Sequence, residues 1–439
     1  MRLNAAQILE LENDTITLCQ ELIRIPSVNY GEGRGDEKAV AEYIASKLAE
    51  VGIESELIET APNRVNVVAK IAGADQSRPG LVLHGHIDVV PAEAKDWSVD
   101  PFSGVIKDGF IWGRGAVDMK NTDAIILACI RSWKRNGFTP PRNVLIIFFA
   151  DEEASGTFGS RWLVKNRPEL FSGYNEAISE VGGFSVTIPG GHRLYLIEAA
   201  QKGIQWLKLT ARGTAGHGSF KNTDNAVTKL SQAIARIGNY EWPQLETRTG
   251  EIFFRKIAEL TGEKYDPKNV EPLLKHLGPV IKMLGATIQN TANPTMLEAG
   301  YKANVIPQTA SAVIDGRFLP GFENDLHDTI KKLAGDDIEI EFVARDIALE
   351  VEFSGKLVEA MIAAIASEDP DGIPVPYLMS GGTDNKALSD LGITGYGFTP
   401  LKLPEDLDFS ALFHGVDERI PIEGLKFGAR VMYEFLENI

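Results

Sequence analysis

The sequence predicts an α/β protein: a mixed, largely parallel sheet flanked by helices, with an α+β domain inserted into it. Three observations predict this. Over the first 200 or so residues, short β-branched runs bounded by turn residues alternate with helical patterns, as in layered strand–helix units. From Lys202 the texture changes to apolar–polar alternation, which suits a sheet with one wet face. After roughly residue 349 the first texture returns. At 439 residues the chain is also too long for one ordinary domain.

Taken in order, residues 39–51 ("AVAEYIASKLAEV") carry apolar side chains at helical spacing and stop at Gly52. The runs "NVVAKIAG", "LVLHGHIDVV" and "NVLIIFFA" read as strands, and "NTDAIILACIRSWKRNG" between the last two as a helix closed by Gly137. In the second texture, "KGIQWLKLTARG", "ASAVIDGRF" and "IEIEFVA" alternate like half-buried strands. The stretches "DNAVTKLSQAIARIGNY" and "ENDLHDTIKKLAG" read as amphipathic helices between them. Residues 242–300 interrupt that pattern with helical material. The runs "KLVEAMIAAIAS" and "GLKFGARVMYEFLENI" then close the chain. The expected division is 1–201 and 349–439 for the first domain, and 202–348 for the insert, elaborated over 242–300.

Composition narrows the function. Hydrophobic content of 44% and charged content of 24% are those of a globular protein. A net charge of -17 argues against nucleic-acid binding, which wants a basic face. Cys19 and Cys129 make no disulfide framework and no cysteine-rich metal motif. The N-terminus lacks the basic start and apolar core of a signal peptide. No apolar run reaches the ~18 residues of a membrane span. A cytoplasmic protein that does not engage membranes is expected.

The chemistry gathers where strands end, which is where open α/β sheets place their sites. "LVLHGHIDVVP" sets His84, His86 and Asp88 at the end of an apolar run. Asp118 follows the glycine-rich turn of "WGRGAVDMKN", "FFADEEASGTFGS" delivers Asp151, Glu152 and Glu153, "AISEVGGF" ends a short strand on Glu180, and "LFHGVDE" adds His414. Singly, each is more often a solvated turn or a structural pair. Together they form the oxygen and imidazole inventory of a two-metal site. Two Zn²⁺ ions bring four positive charges; Asp118, Glu153, Glu180 and one hydroxide would cancel them, as a dry site requires.

These stretches, with "HGS", "NVIP…DGRFLPG" and "GGTD" in the same order, resemble the zinc-dependent exopeptidase family of glutamate carboxypeptidase G, dipeptidases, aminoacylases and succinyl-diaminopimelate desuccinylase. The similarity runs from "LIRIPSVN" to "HGVDERIPIE". The resemblance implies that fold, with a ferredoxin-like insert that serves as lid and dimerisation domain, and two Zn²⁺ per subunit, replaceable by Co²⁺ or Mn²⁺. His86, Asp118 and Glu180 would hold one metal, and Asp118, Glu153 and His414 the other. Asp88 would hydrogen-bond the free nitrogen of His86, leaving His84 a mere neighbour. Glu152 would deprotonate the attacking water and later protonate the leaving amine. His217 of "AGHGSF" would stabilise the oxyanion, reaching into the neighbouring subunit of a homodimer. Asn304 and Arg317 would grip the substrate carboxylate, with contacts from Gly381, Gly382 and Thr383. Without the resemblance, Arg317 reads as a surface ion pair with Asp315. A cis peptide at Asp118–Met119 is implied as well. The expected reaction is hydrolysis of an amide or peptide bond in a small peptide bearing a free carboxylate. The alternative is deacylation or desuccinylation of an N-acyl amino acid by the same site.

Overall fold

The computed structural model describes residues 3–439. Among these, ten strands form the large sheet. Its order is Ser55–Ala61, Arg64–Ile71, Val144–Phe149, Gly80–His86, Tyr174–Ser179, Thr394–Gly397, His192–Gln201 and Leu349–Glu350, with Phe184–Ile188 and Gly372–Met379 also pairing with His192–Gln201. The sheet is mixed. Gly80–His86 is parallel to both its neighbours, Thr394–Gly397 is parallel to Tyr174–Ser179, and antiparallel strands extend the sheet beyond Val144–Phe149.

The central strands are apolar throughout because both faces are covered. Leu81, Leu83, Ile146 and Phe148 face one core, while Val82, Leu145, Ile147 and Phe149 face the other. Helices Ala5–Ile23, Lys120–Asn136 and Ile422–Glu437 pack on one another over the first of these faces. Lys120–Asn136 ends at Gly137, whose φ of 68° is the left-handed cap that its pattern predicts. No helix among the described residues is long and apolar enough to cross a membrane.

The second texture builds a four-stranded antiparallel sheet, ordered Thr291–Ala299, Thr309–Phe318, Gly203–Arg212 and Ile338–Asp346. Along Gly203–Arg212 the alternation is physical: Leu207, Leu209 and Ala211 are buried, whereas Trp206, Lys208 and Arg212 are exposed. The buried set packs on Leu230, Ala233 and Ile237 of helix Ala226–Gly238 and on Leu326 and Ile330 of helix Glu323–Ala334.

The interruption goes elsewhere. Helix Arg248–Thr261 lays Phe253, Phe254 and Ile257 into the core of the large sheet, and Leu273, Leu277 and Leu284 follow it there. Its apolar stripe needs a buried face, and strand Gly372–Met379 supplies one. The chain then re-enters the small sheet as the edge strand Thr291–Ala299. At this crossing the buried Lys202 donates to Ala286 O at 2.9 Å, Gln289 O at 2.8 Å and Thr291 Oγ1 at 3.3 Å.

Candidate metal centre

Three adjacent parallel strands deliver ligands to one sheet edge. His86 is the last residue of Gly80–His86, Glu152 and Glu153 follow Val144–Phe149, and Glu180 follows Tyr174–Ser179. Asp118 comes from the glycine-rich turn and His414 from the C-terminal segment. His86 Nε2 lies 3.1 Å from Asp118 Oδ1 and 3.5 Å from Glu180 Oε2. His414 Nε2 lies 3.1 Å from both Asp118 Oδ2 and Glu153 Oε2. The two oxygens of Asp118 therefore face two separate groups, each with ligand atoms within 4.8 Å of one another. Glu152 Oε2 stands 3.9 Å from His86 Nε2, outside both groups. The Asp118–Met119 peptide is cis.

The electrostatics call for cations. Burial, then the neighbouring Asp118 charge, pushes the Glu153 carboxyl up to about 7. Burial pushes Glu180 up to about 7 as well. Hydrogen bonds to Asp118 and Glu153 hold the His414 imidazole at about 10. Glu153 Oε1 is buried without a hydrogen-bond partner. Buried carboxylates crowded against the buried His86 and the exposed His414 fit the donor set of divalent zinc.

Above the ligands opens a cavity of about 860 Å³, lined by the metal-side carboxylates, His414, and Gly381, Gly382 and Thr383. The small sheet adds Ile204, Trp206, Arg317 and Arg345. Arg317 both lines the cavity and makes the ion pair: its Nε and Nη2 donate to Asp315 at 2.7 and 3.2 Å. Asp315 also accepts from Trp206 Nε1 at 2.9 Å, which fixes both side chains. His217 and Asn304 lie together but elsewhere. Both are exposed, Gly218 N donates to Asn304 O at 2.9 Å, and neither lines this cavity. His84 bonds Asn385 Oδ1 at 2.9 Å and belongs to neither ligand group.

The profile of peptidase family M20/M25/M40 matches residues 82–438. The chain belongs to this family. It is 29% identical to the probable carboxypeptidase S-like 2 of Dictyostelium discoideum, over 85% of this chain and 76% of that protein. It is also 29% identical to the N-fatty-acyl-amino acid synthase/hydrolase PM20D1 of Bos taurus, over 95% and 86%. Among solved structures, the dipeptidase Dug1p of Saccharomyces cerevisiae superposes with a TM-score of 0.72 at 16% identity, covering 99% of this chain and 97% of that one.

In this M20 chain, buried contacts that the sequence did not show hold the loops carrying the candidate ligands. The Asp88 carboxylate accepts Asn29 Nδ2 at 2.8 Å and the main-chain N–H of Glu152 and Glu153 at 3.1 Å each. His86 Nδ1 is 3.0 Å from the main-chain carbonyl of Asp88 and 3.5 Å from its carboxylate, so the carbonyl is the nearer acceptor that turns Nε2 toward Asp118 and Glu180. Asp151, left-handed at φ 67°, accepts from Asn29 at 3.0 Å, Arg64 at 2.6 Å and Phe158 N at 2.9 Å. That bend aims the next two N–H groups at Asp88. Glu418 gives the Asp118 loop the same service: it accepts from Val117 N, Asp118 N, Gly115 N and Arg114 Nη1. The one sequence signal for it was an acid ending "HGVDE", four residues after His414.

Proposed function

We propose that the protein is a dinuclear-zinc amidohydrolase that cleaves the amide bond joining an acyl group to an amino acid with a free carboxylate. One observation carries this reading. The two ligand groups share Asp118 at the floor of a cavity, with Glu152 facing them and Arg317 above. His86, Asp118 and Glu180 hold one zinc, and Asp118, Glu153 and His414 the other. When bound, the pair supplies Lewis-acid polarisation of the carbonyl and neutralises developing negative charge. Glu152, free of both groups, takes the proton of the attacking water and returns it to the leaving nitrogen.

Arg317 keeps its Nη1 edge, since Asp315 occupies only Nε and Nη2. That edge receives the substrate carboxylate, and Gly381, Gly382 and Thr383 line its approach. His217 and Asn304 serve the site of a second copy in a homodimer formed through the insert, residues 202–348. Two free, buried cysteines support a reducing, cytoplasmic setting.

A small dipeptide would satisfy the same chemistry. Apolar side chains along the cavity, including Val181, Met283, Met379 and Phe413, favour an N-acyl amino acid. So does the relative named as an N-fatty-acyl-amino acid hydrolase. The test is a hydrolysis panel of N-acyl amino acids and dipeptides, run on protein stripped by chelator and reloaded with zinc. The expected result is two zinc ions per chain, activity restored by zinc, cobalt or manganese, and preference for the N-acyl series. Preference for dipeptides would instead favour the peptidase reading.

A further inference from the structure

Among the mostly polar side chains that the large body gives the cavity, Val181, Met283, Met379 and Phe413 form an apolar set drawn from separate places in the chain. Val181 directly follows the ligand Glu180, and Phe413 directly precedes the ligand His414. Connectivity therefore carries one apolar side chain to within a residue of each metal group. Val181 is further fixed in a left-handed conformation, φ 51°, rare for a β-branched residue, with its carbonyl accepting from Tyr377 Oη at 2.6 Å.

Met283 joins this set from another direction. It lies on the short helix Ile281–Leu284, part of the stretch that leaves the small sheet to pack on the large core. Leu284 is buried beside it, and Lys282 pairs with Asp408 at 3.1 Å, anchoring the helix on both sides. The helix touches strand Gly372–Met379, and the turn before it, Lys275–Val280, packs on Phe409–Ala411. Met283 is thus held at the cavity by packing, with no ligand adjacent to it in sequence. A flexible thioether there fills whatever room a bound chain leaves. The cavity volume of about 860 Å³ lies near the top of the range for small-molecule pockets.

We infer that these four side chains line the acyl subsite and that Met283 sets the longest acyl chain the enzyme accepts. The inference rests on the N-acyl amino acid reading above. Its test measures kcat/KM for the N-acetyl, N-octanoyl and N-palmitoyl forms of one amino acid, with zinc-loaded wild type, Met283→Ala and Met283→Trp. In Met283→Trp the palmitoyl-to-acetyl ratio is expected to fall about tenfold or more, because lost room for methylenes is felt strongly in such pockets. In Met283→Ala the ratio is expected to rise about threefold or more. Either shift supports the assignment, so one poorly folding variant does not stop the test. Ratios unchanged in both variants of an enzyme that does cleave N-acyl amino acids overturn this inference alone. A wild type that cleaves none of the three overturns the parent reading and this one with it.

Discussion

The buried Glu418 carboxylate accepts the main-chain N–H of Asp118 at 3.1 Å, so an acid outside both candidate ligand groups fixes the backbone of the residue they share. Its four acceptor contacts all face donors. Glu418→Gln keeps the shape but turns an amide N–H₂ toward one pair of those donors. Metal affinity is expected to fall about 10–100-fold, as for other groups that orient ligands from behind. Competition with a chelator measures it; an unchanged affinity would show that the Asp118 loop holds itself.

Glu152→Gln changes no ligand. Both metals should remain bound while turnover falls by about 10²–10⁴-fold, the usual contribution of a positioned proton carrier. Elemental analysis and kcat settle it together. Retention of more than about a tenth of the rate would remove Glu152 from the proton-transfer role.

His217 and Asn304 sit exposed and outside their own chain's cavity. If they complete a partner's site, mixing inactive Glu152→Gln and His217→Ala proteins should restore activity after subunit exchange. In a mixed dimer one site pairs an intact Glu152 with an intact His217. Exchange without recovery would place His217 outside catalysis between subunits.

Lys202 gives a stability test independent of the metals. Burial pushes its ammonium from the ordinary 10.5 down to about 7; Arg317 acts in the same direction and Asp315 opposes both. Between pH 7 and 10.5 the unfolded chain binds a proton that the folded chain lacks, so this residue adds stability as pH rises. The slope is at most about 1.4 kcal/mol per pH unit. Denaturant unfolding of wild type and Lys202→Met should show a difference that moves in favour of wild type from pH 7 upward. A difference independent of pH would count against the shift.

What the sequence disclosed follows from what one-dimensional patterns encode. A buried parallel strand is a greasy run, and a polar group at its end interrupts the grease; His86, Glu153 and Glu180 carry little signal singly, and their recurrence after successive strands is what makes them legible. Partnerships across the fold leave no such trace. Asn29 meets Asp88 across 59 positions, and Arg114 meets Glu418 across 304. For the same reason the pattern of residues 242–300 announced helices without saying which sheet would bury them. Phe253 and Phe254 needed an apolar face, and only the folded chain reveals that Gly372–Met379 offers it.

The strand order also has a consequence for biosynthesis. Thr394–Gly397 lies between Tyr174–Ser179 and His192–Gln201, two strands made some two hundred residues earlier. On a translating ribosome the Tyr174–Ser179 edge emerges with a one-strand slot beside it, whereas His192–Gln201 is already paired with Phe184–Ile188 and meets the missing strand at Glu198 alone. At about 5–20 residues per second the slot stays open for roughly 10–40 s. The bare Tyr174–Ser179 edge is a pairing template for any other nascent chain during that interval. Products truncated before residue 394 keep the slot permanently, and such fragments should aggregate or be retained by chaperones while the full-length chain escapes.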